Sequence, residues 1–307
     1  MAILDGKDVA RLASYAELVD ALHRAHQADP AVCERIVYGP PGDPRRLMAL
    51  PAWQPDGDIG VKLATIFPDN PVDGRPSVQA VVMLFDGATG AARALIDGTE
   101  LTYRKTAADS ALGSRLLARH DVHTLLMVGA GGLAPHLIAA HRAVRPSIER
   151  VLVWNRTPNR AEGLVAAGVA DEAVDDLDAA VTEADVISVA TMARDPLIRG
   201  DLLRAGAHID CVGAFLPDRR EVDDAVVRRA EIFVDSREAA VHESGDLVIP
   251  LAAGTIPPNA ICADLFELCR GDHAGRSGPH AITMFENGGG GHLDLMVASH
   301  LWDVWSR

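Results

Sequence analysis

Cysteine is scarce in this sequence, and no long apolar run is present. The four cysteines are scattered, with no CxxC pair and no histidine at zinc-finger spacing, so we expect neither structural disulfides nor a metal site. No apolar run approaches the roughly 18 residues of a membrane-spanning helix, and charged residues occur within residues 1–7, where a signal peptide would lack acidic groups. We therefore expect a cytoplasmic chain without a membrane partner.

Basic residues are also fewer than acidic ones. The 29 lysines and arginines face 43 acidic residues, which gives a net charge of −14. Nucleic acid and anionic membranes are excluded as general partners, because their phosphates attract clustered cations. A small anionic ligand stays open, since it needs only a few local cations. At 307 residues and 48% hydrophobic content, the chain is long enough for about two folded domains.

The spacing of apolar residues differs between the two parts of the chain. After about residue 122, short runs rich in Val, Ile and Leu alternate with helical stretches, which predicts a parallel sheet covered by helices on both faces. The part before residue 122 predicts a helix, then a β-hairpin, and then a second helix over residues 106–119. The predicted fold class is α/β: a Rossmann-type doubly wound parallel sheet in residues 121–292, plus a smaller α+β domain of residues 1–120 joined by a C-terminal helix at 293–307.

A glycine-rich turn follows the first apolar strand of the second part. It reads Gly129-x-Gly131-x-x-Ala134 and leads into a helix. The first glycine permits a tight turn, the second lets a pyrophosphate approach the backbone, and the small third residue allows close packing of helix and strand. The turn therefore predicts a dinucleotide site.

The end of the next strand indicates which dinucleotide is bound. Asn155, Arg156 and Thr157 stand there, where NAD sites commonly place an acid for the ribose 2′-hydroxyl. Arg156 can pair with the 2′-phosphate of NADP, so we predict NADP(H) as the preferred nucleotide and NAD(H) as the alternative. Arg156 could equally be a solvated loop cation. Asn155 and Thr157 could be turn or cap residues, because Pro158 follows where a helix would start.

Several segments outside the glycine turn match a known set of motifs. Residues 61–71 read VKLATIFPDNP, residues 84–90 read LFDGATG, and residues 101–108 read LTYRKTAA. They resemble the VKLxxxFPxNP, LFDxxTG and LTxxRTAA motifs of the ornithine cyclodeaminase/μ-crystallin family. Further matches follow in order at residues 212–217, 220–223, 242–246 and 283–285.

This resemblance implies a homodimer whose Rossmann and dimerisation domains bind a small α-imino or α-amino acid between them. The leading hypothesis is an NAD(P)H-dependent oxidoreductase that reduces a cyclic α-imino acid such as Δ1-pyrroline-2-carboxylate. One alternative is an ornithine cyclodeaminase, a lyase that forms proline and ammonia. A second alternative is a non-catalytic, crystallin-like protein that binds NADP and a small ligand.

Three departures from the family pattern are present, and the first bears on this choice. Phe215 stands where cyclodeaminases carry an acid/base Asp, and a phenyl ring can shape the substrate pocket but cannot move a proton. Lys105 stands where the usual motif has Arg before Thr-Ala-Ala. The glycine-rich residues 287–291 also replace a more helical family segment. Of these departures, Phe215 favours the reductase over the cyclodeaminase, because its ring cannot move a proton.

Three cations are candidates for binding a substrate carboxylate. Lys62 interrupts an apolar strand; it either snorkels to solvent or, as the resemblance implies, binds the carboxylate and protonates the imine nitrogen. Lys105 is a second catalytic and binding candidate at the start of a predicted helix, where the helix dipole favours anions; it could instead be solvated. Arg35 matches the family's N-terminal arginine and is the third.

The remaining candidates lie near the nicotinamide. Thr106 and Thr191 are predicted to contact that end of the cofactor, with helix capping and turn formation as the alternatives. Glu221 is a candidate catalytic acid, although it could be a cap or surface residue. We assign His292 and Asp294 to the start of the last helix rather than to chemistry.

Overall fold

The computed structural model describes residues 1–214 and 216–307, which form two compact units. Unit 1 comprises Met1–Lys105 and Gly290–Arg307, and unit 2 comprises Thr106–Gly289. The division falls within one helix, whereas the predicted boundary at residue 120 lies after it. The predicted domain limits stay a prediction. No helix in the described ranges is both long and apolar enough to cross a membrane.

Unit 1 is built on a mixed sheet. Its strands are β1 (Ala2–Leu4), β2 (Val32–Cys33), β3 (Ile36–Tyr38), β4 (Arg46–Trp53), β5 (Ile59–Ile66), β6 (Val78–Phe85) and β7 (Ala92–Asp97). They lie in the order β1-β7-β6-β5-β4-β2, and β3 also pairs with β4. The β1–β7 pair is parallel and the others are antiparallel. The predicted hairpin is β6–β7, whose turn is held by Asp86, which accepts hydrogen bonds from the Ala88 and Thr89 amides.

Helices cover one face of this sheet. They are α1 (Gly6–Leu12), α2 (Tyr15–Ala25), the first part of α3 (Gly98–Leu117) and, after the helices of unit 2, α11 (Gly291–Trp305), with a 3₁₀ turn at Asn70–Asp73. A capping box of Ser14 and Glu17 starts α2, which satisfies amides that the helix itself leaves unpaired. Helix α11 contacts α2, β4 and β5. The last segment of the chain therefore completes the core of unit 1.

Unit 2 holds a fully parallel sheet. Its strands are β8 (Thr124–Val128), β9 (Arg150–Trp154), β10 (Glu172–Ala173), β11 (Val186–Val189), β12 (His208–Cys211), β13 (Ala230–Val234), β14 (Ile261–Asp264) and β15 (Ile282–Glu286). The order is β10-β9-β8-β11-β12-β15-β13-β14. Strand order reverses between β8 and β11, the point where open α/β sheets bind ligands. The predicted fold class is confirmed.

The helices of unit 2 follow the predicted pattern closely. They are α4 (Ala134–Val144), α5 (Pro158–Ala166), α6 (Leu177–Glu183), α7 (Asp224–Arg229), α8 (Arg237–Glu243), α9 (Gly245–Ala252) and α10 (Leu265–Arg270), with a 3₁₀ turn at Gly200–Leu202. Side-chain caps from Asp176, Asp223 and Asp264 start α6, α7 and α10. The central strands β8, β11, β12 and β15 are almost wholly buried, as expected for a sheet covered on both faces. The edge strands β10 and β14 carry exposed residues.

The predicted start of α3 at Thr106 is wrong, because the helix begins at Gly98. Asp97 accepts a hydrogen bond from the Glu100 amide and so supports the first turn. A Cβ at Gly98 would lie 2.7 Å from the backbone of Ala80 on β6. Glycine is needed there because of this tertiary contact, although in the sequence it suggests a turn. Thr106 is consequently inside the helix, so its reading as a cap is also wrong.

Candidate nucleotide and substrate sites

The glycine turn of unit 2 has the geometry expected of a phosphate-binding loop. Gly129 has a φ of 108°, and a Cβ there would lie 2.5 Å from the Ala190 carbonyl oxygen. A side chain at Gly131 would meet no atom within 4 Å, so the backbone is open to a ligand at this point. Ala134 is the first residue of α4 and is buried. The first glycine serves the fold, and the second leaves room for the pyrophosphate.

The three residues after β9 have different surroundings. Asn155 Oδ1 accepts a hydrogen bond from the Ala130 amide at 3.1 Å, and its Nδ2 donates to the Thr157 carbonyl at 2.9 Å. Thr157 occupies the N-cap position of α5 without a side-chain cap bond. Arg156 is exposed and forms no ion pair in the described part of the chain. Its guanidinium is therefore available to an anionic ligand.

Glu221 is buried beneath the loops that follow β11 and β12. Its Oε1 accepts hydrogen bonds from the Thr191 amide and hydroxyl at 2.5 and 2.7 Å, and its Oε2 accepts from the Gly213 amide at 2.7 Å. Burial and the neighbouring Asp246 raise the pKa of Glu221 to about 8. Both oxygens are thus engaged in holding backbone. This geometry favours a positioning role for Glu221 and Thr191, and their predicted direct roles stay predictions.

A second buried group was not anticipated from the sequence. The ligand atoms of Cys211 at the end of β12, Asp246 in α9 and Glu286 at the end of β15 all lie within 4.8 Å of one another. Ser244 donates a hydrogen bond to Glu286 at 2.6 Å. Burial raises the pKa of each of the three groups, which favours their neutral forms. The sequence hides this group because its members are far apart in the chain and have no motif spacing.

In unit 1, Lys62 points inward from β5. Gly60, Lys62 and Ala64 alternate on the buried face of the strand, whereas Leu63 is exposed, as the period of two requires. Lys62 is only 7% exposed. The snorkelling interpretation is therefore wrong, because the ammonium does not reach solvent.

The partner of Lys62 is Asp294, for which the sequence predicts only a place at the start of the last helix. Asp294 Oδ2 lies 2.7 Å from Lys62 Nζ, and both side chains are buried. Asp294 lies in the first turn of α11, as predicted. An acid in a first turn is ordinary helix chemistry, so nothing in its local sequence indicated a distant lysine.

Two of the predicted carboxylate-binding cations, Lys105 and Arg35, lie close enough to the third, Lys62, to repel its charge. Burial lowers the pKa of Lys62, Asp294 opposes the change, and Lys105 and Arg35 lower it further. Lys105 is buried. Its predicted position at a helix N-terminus is wrong, because it lies in the interior of α3. The cations nevertheless converge, which favours binding of an anion in unit 1.

Two histidines adjoin this cluster. Burial, His26 and Lys105 lower the pKa of His292 to about 3, and burial lowers that of His26 to about 4. Their rings meet edge to face, with centroids 6.2 Å apart. Both are consequently neutral near pH 7 and add no charge to the cluster.

The remaining candidates are placed as follows. Arg104, beside Lys105, packs over the Tyr15 ring and donates a hydrogen bond to the Ala13 carbonyl, so it supports the fold. The Thr106 carbonyl accepts a hydrogen bond from Asn287 Nδ2 at 3.0 Å; contact of its side chain with nicotinamide stays a prediction. Phe215 lies outside the described residues.

The parallel doubly wound sheet with its glycine turn defines a Rossmann-type protein, here joined to an α+β unit with buried cations. The chain belongs to the ornithine cyclodeaminase/mu-crystallin family, whose family model matches residues 3–307. A relative from Paracoccus denitrificans, named Delta(1)-pyrroline-2-carboxylate reductase, is 44% identical over 94% of this chain and 92% of its own length. The resemblance predicted from the sequence is confirmed.

Solved structures agree with this assignment. The Delta(1)-pyrroline-2-carboxylate reductase of Thermococcus litoralis, in complex with NADH and L-proline, is 32% identical with a TM-score of 0.92, over 99% of this chain and 97% of that one. An archaeal alanine dehydrogenase dimer with bound NAD is 26% identical with a TM-score of 0.90, over 99% of this chain and 95% of that one.

Proposed function

We propose that the chain is an oxidoreductase that reduces the C=N bond of a small cyclic α-imino acid of the Δ1-pyrroline-2-carboxylate type with a reduced nicotinamide nucleotide. The observation that carries this proposal is the grouping of two buried lysines, Lys62 and Lys105, with the half-buried Arg35 in unit 1, where both Lys105 and Arg35 lower the pKa of Lys62. Such a cluster suits a small carboxylate. The names of the relatives from Paracoccus denitrificans and Thermococcus litoralis support the same substrate class.

The residues of unit 1 have distinct tasks in this reaction. Lys62 and Lys105 bind the substrate carboxylate, and Arg35 adds a third positive charge. The Lys62 ammonium can also give a proton to the imine nitrogen, which makes the neighbouring carbon more electrophilic. The bound nucleotide supplies hydride to that carbon, so one hydride and one proton convert the imino acid to the amino acid.

The nucleotide is held by unit 2. The open backbone at Gly131 and the helix start at Ala134 suit the pyrophosphate. We infer that NADP(H) is preferred and that NAD(H) can substitute, because Arg156 is exposed without an ion pair in the described residues and Asn155 replaces an acid. Structures of relatives contain NADH or NAD. They support a nicotinamide cofactor, and the preference for NADP(H) over NAD(H) rests on Arg156 and Asn155.

We also propose that a second copy of the chain covers the outer face of the unit 1 sheet. Leu63 on β5 pairs directly with Val81 on β6, and both side chains are exposed. Leu47 and Trp53 on β4 extend the same apolar face. Exposed apolar surface of this kind marks an interaction site, and the archaeal relative is described as a dimer.

The proposed reaction is tested by following NADPH absorbance in the presence of Δ1-pyrroline-2-carboxylate. We expect oxidation of NADPH that depends on the imine, with one proline formed for each nucleotide consumed. Nucleotide binding is measured separately by fluorescence. If NADPH binds but no imino acid in a panel of ring sizes is reduced, the reductase proposal fails and the crystallin-like alternative is favoured.

A further inference from the structure

The ion pair between Lys62 and Asp294 is fixed by close packing. Gly60 and Lys62 share the face of β5 toward α11, and a Cβ at Gly60 would lie 3.1 Å from Leu295 Cδ1. The absence of a side chain at Gly60 thus allows the first turn of α11 to pack closely against β5. This packing brings Asp294 Oδ2 to 2.7 Å from Lys62 Nζ.

The charges around Lys62 are unbalanced without Asp294. Lys105 faces it from α3 and Arg35 from the segment between β2 and β3, and both repel its charge. The neutral His292 adds no charge beside Lys105, and its ring contacts that of the neutral His26. Asp294 is the anion that acts on Lys62, and its Oδ1 has no hydrogen-bond partner in the described part of the chain. Its charge is therefore not drawn toward another donor.

We propose that Asp294 is a positioning residue that keeps the Lys62 ammonium protonated and directed toward the substrate carboxylate through their buried ion pair. This inference rests on the proposed function and deepens it. A buried lysine surrounded by other cations loses its proton readily. Asp294 offsets part of this effect while leaving the cluster with excess positive charge for the substrate.

The chain offers a direct way to observe this lysine. It contains only three lysines, Lys7, Lys62 and Lys105. Lys7 is exposed on α1 and serves as an internal reference. In protein labelled at lysine, NMR can follow three side-chain amines as pH is raised. The Lys62→Met variant assigns the resonance of Lys62 by its absence.

The test compares Asp294→Asn with Asp303→Asn, an exposed acid of the same helix. In the Asp294→Asn variant we expect Lys62 to lose its proton at a pH about one to three units lower, the usual effect of removing a neighbouring opposite charge. The alkaline limb of kcat/KM for imine reduction should move in the same direction. KM for the imine should rise about tenfold, with NADPH affinity unchanged. The Asp303 variant should match the unmodified protein in each measurement.

The outcomes separate this inference from the proposed function. An unmodified protein without turnover counts against the proposed function alone, because the Lys62 titration needs no substrate. An unchanged Lys62 titration in Asp294→Asn overturns the inference, and so does a shifted titration with an unchanged rate profile. Asp294→Ser provides a smaller neutral replacement. If both neutral variants fail to fold while Lys62→Met with Asp294→Asn folds, the pair serves folding alone and the inference is overturned.

Discussion

The side-chain oxygen of Asn155 accepts a hydrogen bond from the Ala130 amide, which ties the end of β9 to the glycine turn after β8. This bond places the segment that follows β9 beside the loop predicted to bind pyrophosphate. Arg156 is the next residue and is exposed. We therefore expect the cofactor preference to depend on Arg156, a cation that Asn155 holds near the turn.

Replacing Arg156 with Ala should weaken NADPH binding by about 1–3 kcal/mol, the range for a lost charged hydrogen-bond partner. NADH lacks the 2′-phosphate, so its affinity should hardly change. Fluorescence titration with both nucleotides measures the difference. Arg160→Ala, at an exposed cation of α5, is the control. Equal losses for NADPH and NADH would rule out recognition of the 2′-phosphate by Arg156.

Replacing Lys62 with Met should abolish imine reduction, because the neutral stem cannot bind the carboxylate or donate a proton. NADPH affinity should survive. The variant leaves Asp294 buried without its cation, which typically costs 3–5 kcal/mol of folding free energy. Thermal unfolding is therefore measured first, and Lys62→Met with Asp294→Asn restores a neutral pair for comparison. Near-normal turnover in either variant would remove Lys62 from the site.

Ornithine should release little or no ammonia in the presence of NAD, while Δ1-pyrroline-2-carboxylate is reduced. The reason is Phe215, whose ring cannot take the proton-transfer role that the family assigns to an Asp at this position. Phe215→Asp alone should not create an efficient cyclodeaminase, because the surrounding loop also differs. An ammonia assay on the unmodified protein decides the matter. Rapid ammonia release would favour the lyase and mean that another residue supplies the base.

The buried acids of unit 2 should make stability depend on pH. Burial raises the pKa of Glu286 well above 4.5, so the folded state binds more protons than the unfolded state above that pH. Stability must therefore fall as pH rises from about 4.5 toward the folded pKa.

Glu286→Gln should flatten this dependence and unfold at a higher temperature than the unmodified protein at pH 8, by roughly 2–4 °C for each kcal/mol gained. At pH 4 the advantage should vanish. Glu238→Gln, an exposed acid of α8, should leave the slope unchanged. Parallel slopes for the Glu286 variant and the unmodified protein would show that Glu286 is ionised in the folded state.

Leu63→Glu should separate the proposed dimer, since a carboxylate in an apolar contact is costly to bury. Light scattering after size exclusion should report the mass of one chain, 32.6 kDa, in place of twice that mass. Val72→Glu changes an exposed apolar residue away from the strands and should leave the dimer intact. A Leu63 variant that keeps the dimer mass places the interface elsewhere.

The features predicted correctly from the sequence are mostly local. The turn at Gly129 and the helix starting at Ala134 follow from adjacent residues, so the parallel sheet and its glycine loop could be inferred. The start of α3 could not, because Gly98 is required by a contact with β6. Recognition of Lys62 needed the family resemblance, since burial of its ammonium is decided by α11.

Distance along the chain also explains why the sequence did not reveal the buried groups around Asp294 and Glu286. Asp294 follows Lys62 by 232 residues in a chain of 307, and no spacing rule connects a strand residue to a helix so distant. Cys211 and Glu286 come from β12 and β15, which are neighbours in the sheet but not in sequence. Such groups become visible only once the strand order is known.

The completion of unit 1 by α11 has a consequence for synthesis of the chain on the ribosome. Lys62 and the strand that carries it emerge long before Asp294 and the helix that covers them. Until then, the nascent chain has an uncovered apolar sheet face and a lysine without its counter-ion. A messenger RNA truncated before the codon for residue 290 would encode a polypeptide that contains all of unit 2 but lacks helix α11 of unit 1. Such a product would be a target for chaperones and proteases.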